Sequence, residues 1–208
     1  MDVRRSASTR VEDVIAIIGW GSLIWDLEVL EPQTCGAWQM NFGPRLHMEF
    51  TRISPKRKMG LAVCLDRDVG DLCQTHVISS SRNDISDALR DLALRERTDP
   101  QNIGAICLDT GFNRSHDPAI SDQIGLWCGS VGIRGAVWTD IGPNFSERRG
   151  GPFTVERGVS YLKTLTGESL DEAVRYIENA PSATDTPLRR ALSVDDWWVR
   201  EARRLELR

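Results

Sequence analysis

A serine and two glycines follow directly after an apolar run near the start of the chain. The run, 14–18, is continuously apolar and rich in β-branched residues, which is typical of a central strand covered on both faces. The next residues, Gly19-Trp20-Gly21-Ser22-Leu23, offer a hydroxyl and backbone N–H groups that glycine allows to approach an anion closely. The pattern predicts either a ligand-binding loop at the end of a strand or a tight turn. It is not a dinucleotide fingerprint, because Ile24 occupies the position of the third glycine.

A carboxylate suited to general acid/base chemistry lies at Glu96. Residues 82–97 predict a helix that begins at Ser81 or Asp84 and ends before Pro100. The apolar stripe of this helix consists of Ile85, Leu89 and Leu92. Glu96 is the next residue on the stripe, so its carboxylate should point inward. The alternative is a frayed last turn with a solvated Glu96.

Two further expectations concern charged residues, one pair on this helix and one acid on a strand. Asp91 and Arg95 lie four residues apart and are expected to pair on its outer face. The other acid that could serve as a base is Glu49. Its alternation with Met48 and Phe50 predicts a position on the solvent face of a strand.

The cysteines and histidines do not favour a metal site. The five cysteines form no Cys-x-x-Cys pair, and most have apolar neighbours, which predicts buried, reduced thiols. The three histidines are scattered along the chain. We therefore expect neither a metal nor a cofactor.

The stretch Trp20-Gly21-Ser22-Leu23 resembles the Tyr-Gly-Ser-Leu motif of the γ-glutamylcyclotransferase-like family. Its continuation through Asp26 is most similar to the ChaC-like branch, and the resemblance extends over roughly residues 14–165. It implies an α+β fold with a mixed, partly barrel-like sheet and flanking helices. It also implies an enzyme that releases an amine or amino acid from a small γ-glutamyl compound, as the γ-glutamyl group closes into 5-oxoproline.

The resemblance assigns roles to particular residues. Leu94-Arg95-Glu96 is similar to the family's Arg-Glu, which makes Glu96 the expected general acid/base. Trp20, Gly21, Ser22 and Leu23 become the expected substrate-binding loop. The stretch 43–54 also resembles the ChaC-like branch, where Arg52 matches an arginine of the corresponding strand. Trp138, on a late strand, is expected either near the ligand or in the core.

Trp20 replaces the family's usual tyrosine. Indole offers one N–H donor and more apolar surface in place of a hydroxyl. The exchange predicts a pocket suited to a bulkier or more apolar substrate than glutathione. It also leaves open a module that binds a small molecule without turnover. An unrelated amide-processing or interaction domain, with an accidental match, is the third alternative.

The remaining pattern predicts the elements that position these residues. Strands at 46–51, 61–65 and 72–78 read as an antiparallel meander, with a solvated basic turn at 54–60. A β-α-β passage follows at 103–108, 119–128 and 135–139, and a helix at 154–165. Residues 26–44 are expected to be a connecting segment.

Size and charge complete the expectations. The 208 residues predict a domain at 1–180 and a C-terminal helical extension at 181–208. Trp197 and Trp198 should hold this extension either on the core or on a second subunit, as in a homodimer. A net charge of −4 disfavours nucleic-acid partners, and the absence of a long apolar run disfavours a membrane partner. The first ten residues are expected to be a frayed tail, and the protein cytoplasmic.

Overall fold

The computed structural model describes residues 13–206, so the expected frayed tail lies outside the described residues. The described strands are β1 (Ile15–Gly19), β2 (Thr34–Gln39), β3 (Arg45–Ser54), β4 (Gly60–Leu65), β5 (Asp71–Gln74), β6 (His76–Ser80), β7 (Ile103–Cys107), β8 (Phe112–Arg114) and β9 (Gly135–Thr139). The helices are α1 (Ile85–Glu96), α2 (Pro118–Val131), α3 (Phe145–Arg149), α4 (Val155–Leu162), α5 (Gly167–Glu178), α6 (Pro187–Ser193) and α7 (Asp196–Glu206).

The strands form two sheets with helices packed around them. The larger sheet has the order β2-β6-β1-β9-β7-β8, and the smaller has the order β4-β3-β5. The larger sheet is mixed, because β1 and β9 run parallel whereas β1 and β6 run antiparallel. The predicted α+β class, mixed sheet and flanking helices are therefore confirmed, but the described strands do not close into a barrel.

Strand β1 is central and buried on both faces, as its unbroken apolar run predicted. Ile15 and Ile17 pack with α1 on one face of the sheet. Ala16 and Ile18 face the opposite way, into the larger core that also includes the smaller sheet and the later helices. All four side chains are fully buried. Two-sided burial removes the need for polar alternation along the strand.

The predicted antiparallel meander is wrong in its connectivity. β5 pairs with β3 rather than with β4, so β3 is the central strand of the smaller sheet. Gly70 leads the chain back to β3, where an added Cβ would lie 2.6 Å from the backbone of Met48. The third predicted strand also divides into two, and its second half, β6, joins the larger sheet beside β1. Turn residues alone do not determine which strand edge a chain returns to.

Two other connections differ from the sequence-based expectation. The segment 26–44 contains β2, which pairs with β6 at the edge of the larger sheet. In the predicted β-α-β passage, β7 and β9 are antiparallel neighbours, and β8 forms a hairpin with β7 before α2 begins. The passage is therefore not a parallel crossover unit.

The C-terminal helices pack on the body of the protein. Leu188 and Leu192 of α6 and Trp198 of α7 belong to the larger core. The Trp198 indole Nε1 donates a 2.6 Å hydrogen bond to Glu178 Oε1 at the end of α5. This confirms that Trp198 holds the C-terminal segment on the core. Within residues 13–206, no helix is long and apolar enough to cross a membrane.

Candidate functional site

A cavity of about 320 Å³ lies where the two parallel strands end. β1 and β9 are in parallel register, with Ile18 beside Trp138, so their carboxyl ends lie next to each other. The cavity is lined there by Trp20 and Ser22, after β1, and by Thr139, the last residue of β9. The carboxyl ends of parallel strands commonly hold ligands in sheets of this kind.

Glu96 reaches this cavity from α1, which confirms its predicted inward orientation. The helix remains regular to Glu96, and Arg97 ends it in a left-handed conformation with φ 54°. The Glu96 side chain is 16% exposed and lines the cavity. The frayed alternative is therefore not what the structure contains.

A buried arginine joins Glu96 to the serine loop. The Arg95 side chain is 1% exposed, and its Nη1 donates a 2.8 Å hydrogen bond to Glu96 Oε1. Its Nη2 donates to the Asp26 carbonyl at 2.5 Å and to Ser22 Oγ at 3.4 Å. The carboxylate and the hydroxyl therefore share one guanidinium, which fixes their relative positions.

The predicted pair between Asp91 and Arg95 is wrong, since Asp91 pairs with Arg82 at 2.7 Å. Arg95 follows buried Leu92 by three positions and so lies on the inner side of α1. Ion pairs on a helix usually join residues three or four positions apart, and no residue at that spacing from Glu96 is basic. That rule overlooks Arg95, the adjacent residue, whose long side chain reaches the Glu96 carboxylate.

The opposite wall comes from the smaller sheet and α5. It includes Arg52 of β3, Val63 and Cys64 of β4, and Tyr176 of α5. Tyr176 is buried, and this burial raises the pKa of its phenol, so the hydroxyl stays protonated. Nothing in the sequence pattern indicates a site role for Tyr176, since an aromatic residue on a helix stripe normally indicates core packing.

The basic turn after β3 also differs from its expected solvated state. Lys56 and Arg57 are half-buried and line the cavity. Arg57 stacks over the Tyr176 ring, with its guanidinium carbon 4.7 Å from the ring centroid. A turn rich in charge usually faces solvent. Here α5 packs on Arg57, whereas Lys58 and Met59 of the same turn remain exposed.

Of the loop residues Gly21 and Leu23, only Leu23 lines the binding space. Leu23 lines a narrow extension of the cavity, of about 60 Å³, together with Trp20, Ser22 and Glu96. Gly21 does not line the cavity. Its φ is 76° and its ψ is −145°, and an added Cβ would lie 3.0 Å from both the Tyr176 hydroxyl and Val63 Cγ1. Glycine at this position therefore lets the loop pack closely against the opposite wall of the cavity.

Of the two other predicted binding residues, Arg52 lines the cavity and Trp138 does not. Arg52 is half-buried, lines the cavity, and donates through Nη1 to the Gly142 carbonyl at 2.7 Å. Trp138 is fully buried and does not line the cavity. Its ring covers Gly104, where an added Cβ would lie 2.1 Å from the indole. Trp138 is therefore a core residue, which was the other reading of the sequence, and its neighbour Thr139 lines the cavity instead.

Glu49 is not on the solvent face as predicted, but fully buried. Its Oε1 accepts a 2.7 Å hydrogen bond from Phe50 N, and its Oε2 accepts one of 2.9 Å from Leu188 N at the start of α6. The alternation of β3 breaks because α6 covers the face that would otherwise meet solvent. Glu49 lies outside the cavity lining and serves to attach α6.

The Glu49 carboxylate should make stability depend on pH. Burial raises its pKa above the ordinary value of 4.5, although the Phe50 and Leu188 N–H groups oppose the shift. The folded state therefore binds this proton more readily than the unfolded state. The free energy of unfolding, compared with that of the non-titrating Glu49→Gln variant, should fall as pH rises from 4.5 through the raised pKa. Urea denaturation of both proteins between acid and neutral pH measures this difference. A constant or rising difference would contradict it.

No protein-family model, curated protein or solved structure matches the chain.

Proposed function

We propose that the protein is a γ-glutamylcyclotransferase-like enzyme acting on a small γ-glutamyl compound. The observation that carries the proposal is the meeting of Glu96 and Ser22 on the Arg95 guanidinium, at the rim of one cavity. Ser22 and Glu96 were predicted from two separate stretches of the sequence, and neither prediction used their distance from each other. The family resemblance gives the meeting its meaning, because the expected reaction needs a base beside a site for an amino-acid head group.

In the proposed reaction, the α-amine of the substrate attacks its own γ-carbonyl. The α-ammonium first gives a proton to the Glu96 carboxylate, and the free amine forms a C–N bond with the γ-carbon. The original C–N bond then breaks, and Glu96 returns the proton to the leaving nitrogen. The attacking nitrogen loses its second proton to water as the lactam forms, and the released amine takes up a proton from water to become an ammonium ion. The products are 5-oxoproline and the protonated amine.

The same arrangement supplies the binding that this reaction requires. Ser22 Oγ and the loop around it would hold the α-carboxylate, and Arg95 behind them adds positive charge. Holding the γ-glutamyl group of the substrate in a folded conformation brings its α-amine to its γ-carbonyl. This proximity is the main source of acceleration for an intramolecular step. The nucleophile belongs to the substrate, so the proposal needs no cofactor.

Ser22→Ala should weaken binding of a γ-glutamyl ligand by about 0.5–1.5 kcal/mol, the usual net contribution of one hydrogen bond. Titration calorimetry measures the change. Ser160→Ala is the matched control, because Ser160 is an exposed residue of α4 that does not line the cavity. Equal affinities for wild type and Ser22→Ala would remove the hydroxyl from the binding site.

A screen of γ-glutamyl peptides and amines for 5-oxoproline formation tests the proposed function. Release of 5-oxoproline together with the amine would support it. Saturable binding without product would indicate a binding module with the same site. Neither binding nor product across the screen would indicate that the motif match is accidental.

A further inference from the structure

The cavity wall carries more positive than negative charge. Its cationic lining residues are Arg52, Lys56, Arg57 and Arg97. Glu96 is the one acidic residue among the described lining residues. Cations also come from several elements, namely β3, the turn after it, and the end of α1. The excess is therefore a property of the enclosed space and not of one solvated loop.

Neighbouring carboxylates offset this charge only in part. Glu28 pairs with both Lys56, at 3.4 Å, and Arg97, at 2.9 Å. Glu172 pairs with Arg57 at 3.0 Å. With the pair of Arg95 and Glu96 included, four cations thus share three carboxylates: Glu28, Glu96 and Glu172.

Arg52 is the cation that these pairs leave over. Within residues 13–206 it has no carboxylate at ion-pair distance, and one of its nitrogens is occupied by the Gly142 carbonyl. Glu147 and Arg148 lie near enough to act on it, but in opposite directions. A half-buried guanidinium without a carboxylate is well placed to bind one from a ligand.

Two cations of the cavity wall, Arg52 and Lys56, are also destabilised by their surroundings. Burial lowers the pKa of Arg52, and the charge of Arg148 adds to this effect. Burial likewise lowers the pKa of Lys56, and the charge of Arg95 adds to it. A bound anion would offset these effects, since an opposite charge nearby favours the charged form.

We infer that the preferred substrate is a γ-glutamyl compound whose leaving portion carries two carboxylates, such as a γ-glutamyl-linked dicarboxylic amino acid. This inference rests on the proposed function. Arg52 and the four paired cations exceed the three carboxylates by two, and the γ-glutamyl head group, with one carboxylate and one ammonium, cannot offset this excess. An ordinary amino acid as the leaving portion supplies one carboxylate, whereas a dicarboxylic amino acid supplies the two that match the excess. Arg52 is the specificity residue, and the inferred preference replaces the bulkier or more apolar substrate that Trp20 alone suggested.

Two substrates of nearly equal shape test the inference. γ-Glutamyl-glutamate and γ-glutamyl-glutamine differ by one negative charge on the leaving portion. We expect kcat/KM for the glutamate compound to be higher by about ten-fold or more, the usual range for one charge-assisted hydrogen bond. The ratio should shrink as sodium chloride is added, because salt screens the attraction.

Arg52→Gln should bring this ratio close to one, mainly by lowering kcat/KM for the glutamate compound. Arg90→Gln is the control, since Arg90 is an exposed residue of α1 that pairs with Asp87 outside the cavity lining. Turnover of both compounds at equal rates, or a preference for the glutamine compound, would overturn the inference and leave the proposed function standing.

Calorimetry with the same two compounds separates this inference from the proposed function. If neither these compounds nor any other γ-glutamyl compound of the screen is turned over, the proposed enzyme function fails. Tighter binding of the glutamate compound, reduced in Arg52→Gln, would then still support an acidic ligand. Equal affinities or no binding would overturn the inference as well.

Discussion

Replacing Glu96 by Gln should lower turnover by about 100-fold or more while leaving ligand affinity nearly unchanged. Glutamine is almost isosteric with glutamate, and its Oε1 can still accept the hydrogen bond that Arg95 Nη1 donates. It cannot take a proton from the α-ammonium of the substrate. The loss should therefore appear in kcat rather than in binding. Steady-state 5-oxoproline assays and calorimetry on the same preparation measure the two quantities.

Asp87→Asn provides the matched control for Glu96→Gln. The substitution removes one negative charge from the same helix. Asp87 lies in the first turn of α1, whereas Glu96 and the cavity are at the other end of the helix. The Asp87→Asn variant should retain wild-type turnover. A Glu96→Gln enzyme that forms 5-oxoproline at the wild-type rate would exclude Glu96 as the base, whatever the control shows.

The second large effect is expected at Gly21. Its positive φ strains any L-residue, by roughly 1–3 kcal/mol. The Cβ of Gly21→Ala would also press on the Tyr176 hydroxyl and Val63 Cγ1, each 3.0 Å away. Overpacking of this kind costs about 1–3 kcal/mol more. We expect a lower free energy of unfolding, measured by urea denaturation, and weaker ligand binding, because the loop must move away from its partners.

Gly36→Ala separates the two contributions. Gly36 has nearly the same φ, 77° against 76°, but an added Cβ there meets no atom within 4 Å. It should show the strain of a positive φ without the steric contact. Equal losses of stability in the two variants would mean that the loop is not tightly packed against Tyr176 and Val63.

Local patterns in the sequence were sufficient for the elements that carry the site. The unbroken apolar run predicted β1 as a strand covered on both faces, and the stripe on α1 predicted that Glu96 points inward. The motif at Trp20 and Ser22 predicted their place beside one ligand-sized space. These features depend on spacing within one element or one loop, which a single chain reports directly.

Long-range packing was not predictable in the same way. Glu49 alternates like a solvent-facing residue, but α6, far along the chain, covers it. Lys56 and Arg57 look like a solvated turn until Glu28 and the end of α1 contact Lys56 and α5 packs on Arg57. Arg95 looks like a surface partner of Asp91, although it follows Leu92 inward. The errors at Glu49 and in the turn have the same cause: the covering element lies outside the window in which the pattern was read.

The most direct test of the central claim is the fate of water oxygen during turnover. The enzyme would be incubated with γ-glutamyl-glutamate in ¹⁸O-enriched water, and the products analysed by mass spectrometry. Intramolecular cyclisation predicts 5-oxoproline without ¹⁸O, in equal amount to the released glutamate, because the γ-carbonyl keeps its own oxygen. Free glutamate carrying one ¹⁸O in its γ-carboxyl group, with no 5-oxoproline, would indicate hydrolysis and contradict the account.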